Sequence, residues 1–155
     1  MKKITLVFMA SAFTSVMFAQ EMKETEVPAA VKTSFSKKFP GVKVTEWEKE
    51  GENIEAKFTA NKIESSAVFD SKGTFMEHEQ EIESSALPKS VMEYCTKNYA
   101  DHKLAESAKI TDANGKVMYE AELKKGNEHF DVLFDDKGNF VKKLETVVGE
   151  DDDEK

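Results

Sequence analysis

The chain has 155 residues, with 30 acidic against 22 basic side chains and a formal charge of −8 at neutral pH. Every basic residue is lysine, so the side chain best shaped for bidentate phosphate recognition is missing, and the acidic surface repels nucleic acid and anionic lipid. Those facts argue against nucleic-acid and nucleotide functions, and a single cysteine rules out an internal disulfide.

The first predicted element is a secretory signal peptide over residues 1–19. Lys2 and Lys3 form a short positive region, Ile4 to Phe18 carries no charge, and Ala19 supplies a small residue at the expected cut. Met17, three residues before the cut, departs from the usual small residue. The apolar run falls short of the roughly 20 residues a membrane helix needs, so no membrane insertion is expected after cleavage. Residues 20–155 then form a periplasmic or secreted chain. Loss of two lysines and no acid brings its formal charge to −10.

A first helix is predicted after Val27-Pro28. Val31, Phe35 and Phe39 continue Val27 at every fourth position, and proline suits the first turn of a helix. Period-two alternation then predicts strands at 42–50, 53–60, 63–70 and 74–81, broken at Gly51-Glu-Asn53, Asn61-Lys62 and Ser71-Lys-Gly73. A second helix follows Leu87-Pro88, with Val91, Cys95 and Tyr99 on its stripe. Cys95 matches Phe35, which predicts a packing role for the thiol. Four more strands are expected at 103–111, 116–125, 127–135 and 139–147.

The two stretches resemble one another. Phe69-Asp70-Ser-Lys72-Gly73-Thr-Phe75 repeats as Phe134-Asp135-Asp-Lys137-Gly138-Asn-Phe140. The expected fold is therefore α+β, a tandem duplication of a helix plus a four-stranded antiparallel meander over 27–82 and 83–148. Short connections force antiparallel neighbours, and the helices should cover one face of a combined sheet. The like-charged tail at 149–155 is expected to be disordered.

Alternation assigns Val44, Ile54, Ala56, Phe58, Ala67, Phe69, Leu104, Ala108, Ile110, Tyr119, Ala121, Leu123, Phe130, Val132 and Phe134 to the helix-covered face. The opposite face receives Glu55, Lys57, Glu120, Glu122, Lys124 and Asp131. It also receives Trp47, Val68, Met76, Met118, Leu133 and Val141. Apolar groups rimmed by charge mark contact surfaces, and these six are the expected protein-binding residues.

Other chemistry is sparse in the sequence. His78, His102 and His129 form no metal-binding spacing, so no metal ligands are assigned. Asp70, Asp135 and Asp136 before Lys-Gly fit turn chemistry better than a calcium loop. Glu77, Glu79 and Glu81 alternate on one strand and could attract cations, although a solvated sheet edge is the expected explanation. No nucleophile elbow, acid–base pair or phosphate loop stands out, so neither catalytic residues nor a cofactor are expected.

The proline-led helix, the W-E or S-A strand start and the F-D-x-K-G-x-F hairpin, twice over behind a signal peptide, resemble the PepSY-like family. That family, also described as β-lactamase-inhibitor-like, is common in the envelope of Bacteroidetes-type bacteria. The resemblance covers Val27 to Thr146. It implies a tandem fold like that of β-lactamase inhibitory proteins, in which the sheet surface grips an enzyme. A β-lactamase target does not follow, because that inhibitor is stapled by disulfides. The expected function is an exported, non-enzymatic, monomeric binding protein that meets a protein or peptide of the envelope and restrains an enzyme such as a peptidase. The alternative is a cation-responsive or stress-protective protein acting through its acidic strands.

Overall fold

The computed structural model describes residues 20–145. The expected signal peptide and acidic tail lie outside them. In chain order the elements are β1 (Gln20–Met22), α1 (Ala29–Lys38), β2 (Val44–Glu50), β3 (Asn53–Ala60), β4 (Ile63–Asp70) and β5 (Phe75–Glu81). A 3-10 turn at Ser84–Ala86 leads to α2 (Lys89–Asn98), β6 (Lys103–Asp112), β7 (Val117–Lys125), β8 (Glu128–Asp135) and β9 (Phe140–Glu145). The strands form one antiparallel sheet of nine, in sequential order. Strand β1, which alternation did not predict, pairs with β2 through Met22 and Trp47.

Each helix begins directly after a proline, whose missing N–H is no loss at a position where the donor has no intrahelical partner. Val31 and Phe35 of α1 pack onto Ile54, Ala56, Phe58, Ala67 and Phe69 of the sheet. Val91 and Cys95 of α2 pack onto Ala121, Leu123, Phe130, Val132 and Phe134. Cross-strand partners share a face, so Ala67, His78, Thr111 and Val117, paired in turn from β4 to β7, place both clusters on the same side. Both helices therefore cover one face.

The turns lock helices to sheet. Gly138, between β8 and β9, has φ +76° and lies against the start of α2, where a Cβ would meet the Ser90 hydroxyl and the Pro88 ring. Ser90 Oγ in turn donates to the Lys137 carbonyl at 3.0 Å. Asp70 Oδ1 accepts from the Lys72 and Thr74 amides at 2.9 and 2.8 Å, and Asp135 Oδ1 from Lys137 and Asn139 at the same distances. Those carboxylates stabilise turns, as their sequence context implies.

Register breaks alter the faces that simple alternation assigns. One lies between Val44 and Glu46 on β2, and its counterpart between Leu104 and Glu106 on β6. Each leaves one residue, Thr45 or Ala105, outside the pairing and reverses the parity of everything after it. Thr45 fixes its bulge by donating to the Lys57 carbonyl at 2.9 Å. Two expectations fail here. Trp47 faces the helices, 7% exposed, edge-on to Phe35 with ring centroids 5.9 Å apart. Ala108 and Ile110 move the other way, since Ile110 pairs with Met118 and Ala108 with Glu120 on the helix-free face.

Candidate functional site

The remaining predicted contact residues fall into two groups. Val68, Met118 and Leu133 do lie on the helix-free face, but all three are buried, and Met118 and Leu133 pack with Ile110 and Leu144 in a small apolar cluster of their own. Met76 and Val141 are exposed, and each sits at a second pair of bulges, between β4 and β5 and between β8 and β9. The six residues do not come together as an apolar contact patch. Trp47 is on the wrong side, three others are covered, and the last two lie on separate strands.

The helix-free face is instead a field of carboxyl groups. Cross-strand pairing places Glu48 opposite Glu55, Glu77 opposite Val68 and Glu79 opposite Ser66. On the other half Glu106 faces Glu122, and Glu122 faces Asp131. Exposure is 1% for Glu55, 2% for Glu79, 5% for Glu120 and 3% for Asp131. No helix covers them, so crowding by neighbouring side chains on the same face buries them. Glu79 on β5 and Asp131 on β8 lie three strand spacings apart, which in a flat sheet would be about 14 Å. Both nonetheless line one cavity of about 20 Å³, with Glu81, Glu106, Ser107, Ala108, Glu120 and Glu122. That is room for a single water-sized particle.

The position of Glu77, Glu79 and Glu81 overturns the solvated-edge expectation. Strand β5 is the middle strand of the nine, hydrogen-bonded on both sides, and Glu79 is among the most buried side chains described. Alternation showed that the three share a face. It could not show that the face buries Glu77 and Glu79.

Burial and mutual repulsion act together on these groups. Desolvation, then the charge of Glu50, pushes Glu55 up to about 8, opposed by Lys57 and by the nearby Ser66 hydroxyl. Ser66 Oγ and both Glu55 oxygens lack a well-formed hydrogen bond, so that hydroxyl offers only partial relief. Glu50 is pushed up to about 7 by desolvation and then by Glu48, and Glu77 to about 7 by desolvation and then by Asp112. Asp131 rises to about 7 through desolvation, then Glu122 and Glu106. Desolvation also raises Glu79 and Glu120 well above the carboxylate range, and each has an oxygen without a partner. Two lysines oppose this repulsion: Lys57 Nζ lies 2.7 Å from Glu48 Oε1, and the charge of Lys142 works against the rise at Glu77. An uncompensated buried carboxylate is costly, so near neutral pH this face favours either protons or an arriving positive charge.

The histidines are dispersed. His78 lies on the helix side, stacked on Phe58 at 5.9 Å, and desolvation followed by the Lys38 charge lowers its pKa. His102 contacts Asp101 at 2.7 Å at the base of β6. Cys95 is buried under α2, where desolvation raises its thiol pKa. Among the described residues no helix is long and apolar enough to cross a membrane.

A family profile described as "Putative beta-lactamase-inhibitor-like, PepSY-like" matches residues 15–76 and 52–142. No protein with curated annotation matches the chain. Among solved structures, one of the "putative periplasmic proteins" of Bacteroides eggerthii is 14% identical with a TM-score of 0.68, covering 77% of this chain and 88% of its own. A BLIP-like protein from Bacteroides fragilis is 20% identical with a TM-score of 0.62, covering 80% and 90%. At such identities the likeness establishes a shared fold.

Proposed function

From the premise that this chain belongs to the PepSY-like, β-lactamase-inhibitor-like family, we propose that it is an exported, non-enzymatic binding protein whose helix-free sheet face receives the positively charged surface of an envelope protein. The observation that carries this reading is the set of buried carboxyl oxygens without partners on Glu55, Glu79 and Glu120. A fold can shed such groups by substitution, and keeping them costs stability. Lysine or arginine side chains of a partner, reaching these oxygens as neighbouring side chains move aside, would supply the missing donors. An enzyme held in this way, a peptidase for instance, would be restrained. Export is supported by the character of residues 1–19 and by the periplasmic description of the B. eggerthii protein. The two helix-plus-four-strand stretches are read as copies of one unit, supported by bulges at matching positions in each.

The test is a capture from envelope extract with residues 20–155 immobilised, set against a Glu79→Gln, Glu120→Gln, Asp131→Asn variant checked for folding by thermal melting. A partner held by the native chain, lost from the variant and released as salt rises to about 0.5 M is the expected result. Equal retention by both chains, or binding indifferent to salt, would overturn the reading.

A further inference from the structure

We propose that Glu48, Glu50 and Glu55 form a binding site for a hard divalent cation of the calcium class at the β2–β3 end of the helix-free face. One oxygen from each carboxyl lies within 4.8 Å of those of the other two. Calcium–oxygen distances of roughly 2.3–2.6 Å place ligand oxygens up to about 5 Å apart around one ion, so these three fit a single ion without moving the backbone. Magnesium, with bonds near 2.1 Å and a strict octahedron, fits less well.

The pairing of these strands makes the cluster more than a chance group of surface acids. Glu48 and Glu55 stand directly opposite one another, an arrangement that destabilises a sheet when both are charged. Glu50 lies two residues further along β2 on the same face, next to the turn at Gly51. Glu55 is 1% exposed, and neither of its oxygens has a hydrogen-bond partner. Its carboxyl is dry, aimed at the other two and unsatisfied. Lys57 is the cation in contact, bonded to Glu48. Three carboxylates and one ammonium leave a charge of −2 when all are ionised, which one divalent ion cancels. Three protein oxygens leave several coordination positions for water or for a partner's carboxylate, so moderate affinity is expected, in the range of about 10⁻⁵ to 10⁻³ M.

Calorimetric titration of residues 20–155 with calcium chloride near pH 8 tests the site directly. One saturable site is expected, about tenfold or more weaker in Glu55→Gln and in Glu50→Gln. Lys57→Met, which removes the competing ammonium, should bind several-fold more tightly. Glu122→Gln, at the separate cavity, should leave affinity within about twofold. Folding of each variant is verified by circular dichroism. Absence of saturable binding up to about 10 mM calcium overturns the site, as does unchanged affinity in Glu55→Gln or a loss confined to the Glu122 variant. The cation site and the protein partner are measured separately, so either can fail without the other.

Discussion

Replacing Glu55 by glutamine isolates the consequence of a dry carboxyl held on a helix-free sheet face. Glu55 is 1% exposed, with its pKa pushed up to about 8 from an ordinary 4.5. When the folded-state value lies above the unfolded one, stability is fully present below about pH 4.5 and is lost as pH rises through about 8, because the unfolded chain surrenders its proton first. For this one group the linkage relation gives a loss of about 4 kcal/mol at pH 8 and under about 0.5 kcal/mol at pH 4.5. Glutamine keeps the shape and never ionises, so it removes the pH-dependent part. Any fixed cost of its amide cancels between the two conditions. Repulsion is shared with Glu50, so part of the relief passes to that neighbour and the expected range is about 2–4 kcal/mol. Urea unfolding of both chains in chelator at each pH measures it. The stability gained by Glu55→Gln should be larger at pH 8 than at pH 4.5 by that amount. A gain independent of pH, or larger in acid, would refute the reasoning from desolvation.

The remaining predictions concern the helix-covered side. Trp47 is the one tryptophan, and its burial against Phe35 predicts blue-shifted native fluorescence that reddens on unfolding; solvent-exposed emission from the native chain would contradict its placement. Trp47→Ala should cost about 3–5 kcal/mol in urea unfolding, as a core deletion does. Gly138→Ala should cost more than about 2 kcal/mol, because it combines positive φ with a clash against α2, whereas Gly115→Ala, with nothing within 4 Å, should cost about 1 kcal/mol from φ alone. Buried under α2, Cys95 should react with a thiol reagent at least about a hundredfold more slowly in the native chain than in urea, which timed absorbance measures.

Much of the architecture was legible because it rests on local rules. Helical stripes behind Pro28 and Pro88 and glycines at Gly73 and Gly138 place their elements to within a few residues. The candidate site was not legible in the same way. The alternating Glu46, Glu48 and Glu50 carried a usable signal, since charges on one face of β2 put Trp47 on the other. That signal competed with the parity running from Val44, and the bulge at Thr45 decides between them. Nothing in the sequence around Glu77-His78-Glu79 distinguishes a central strand from an edge.

The amino-acid order alone determined the helices, the hairpins and the acidic character of the strands, because each follows from spacing and turn chemistry within about ten residues, and direct comparison of the two stretches showed their likeness. Only the tertiary structure decided which side chains face the helices after each bulge and how deeply the helix-free face is buried. Those outcomes depend on pairing and curvature summed over nine strands. Carboxyls that read as surface charge are thereby brought from β5 and β8 to one small cavity, where desolvation governs their chemistry.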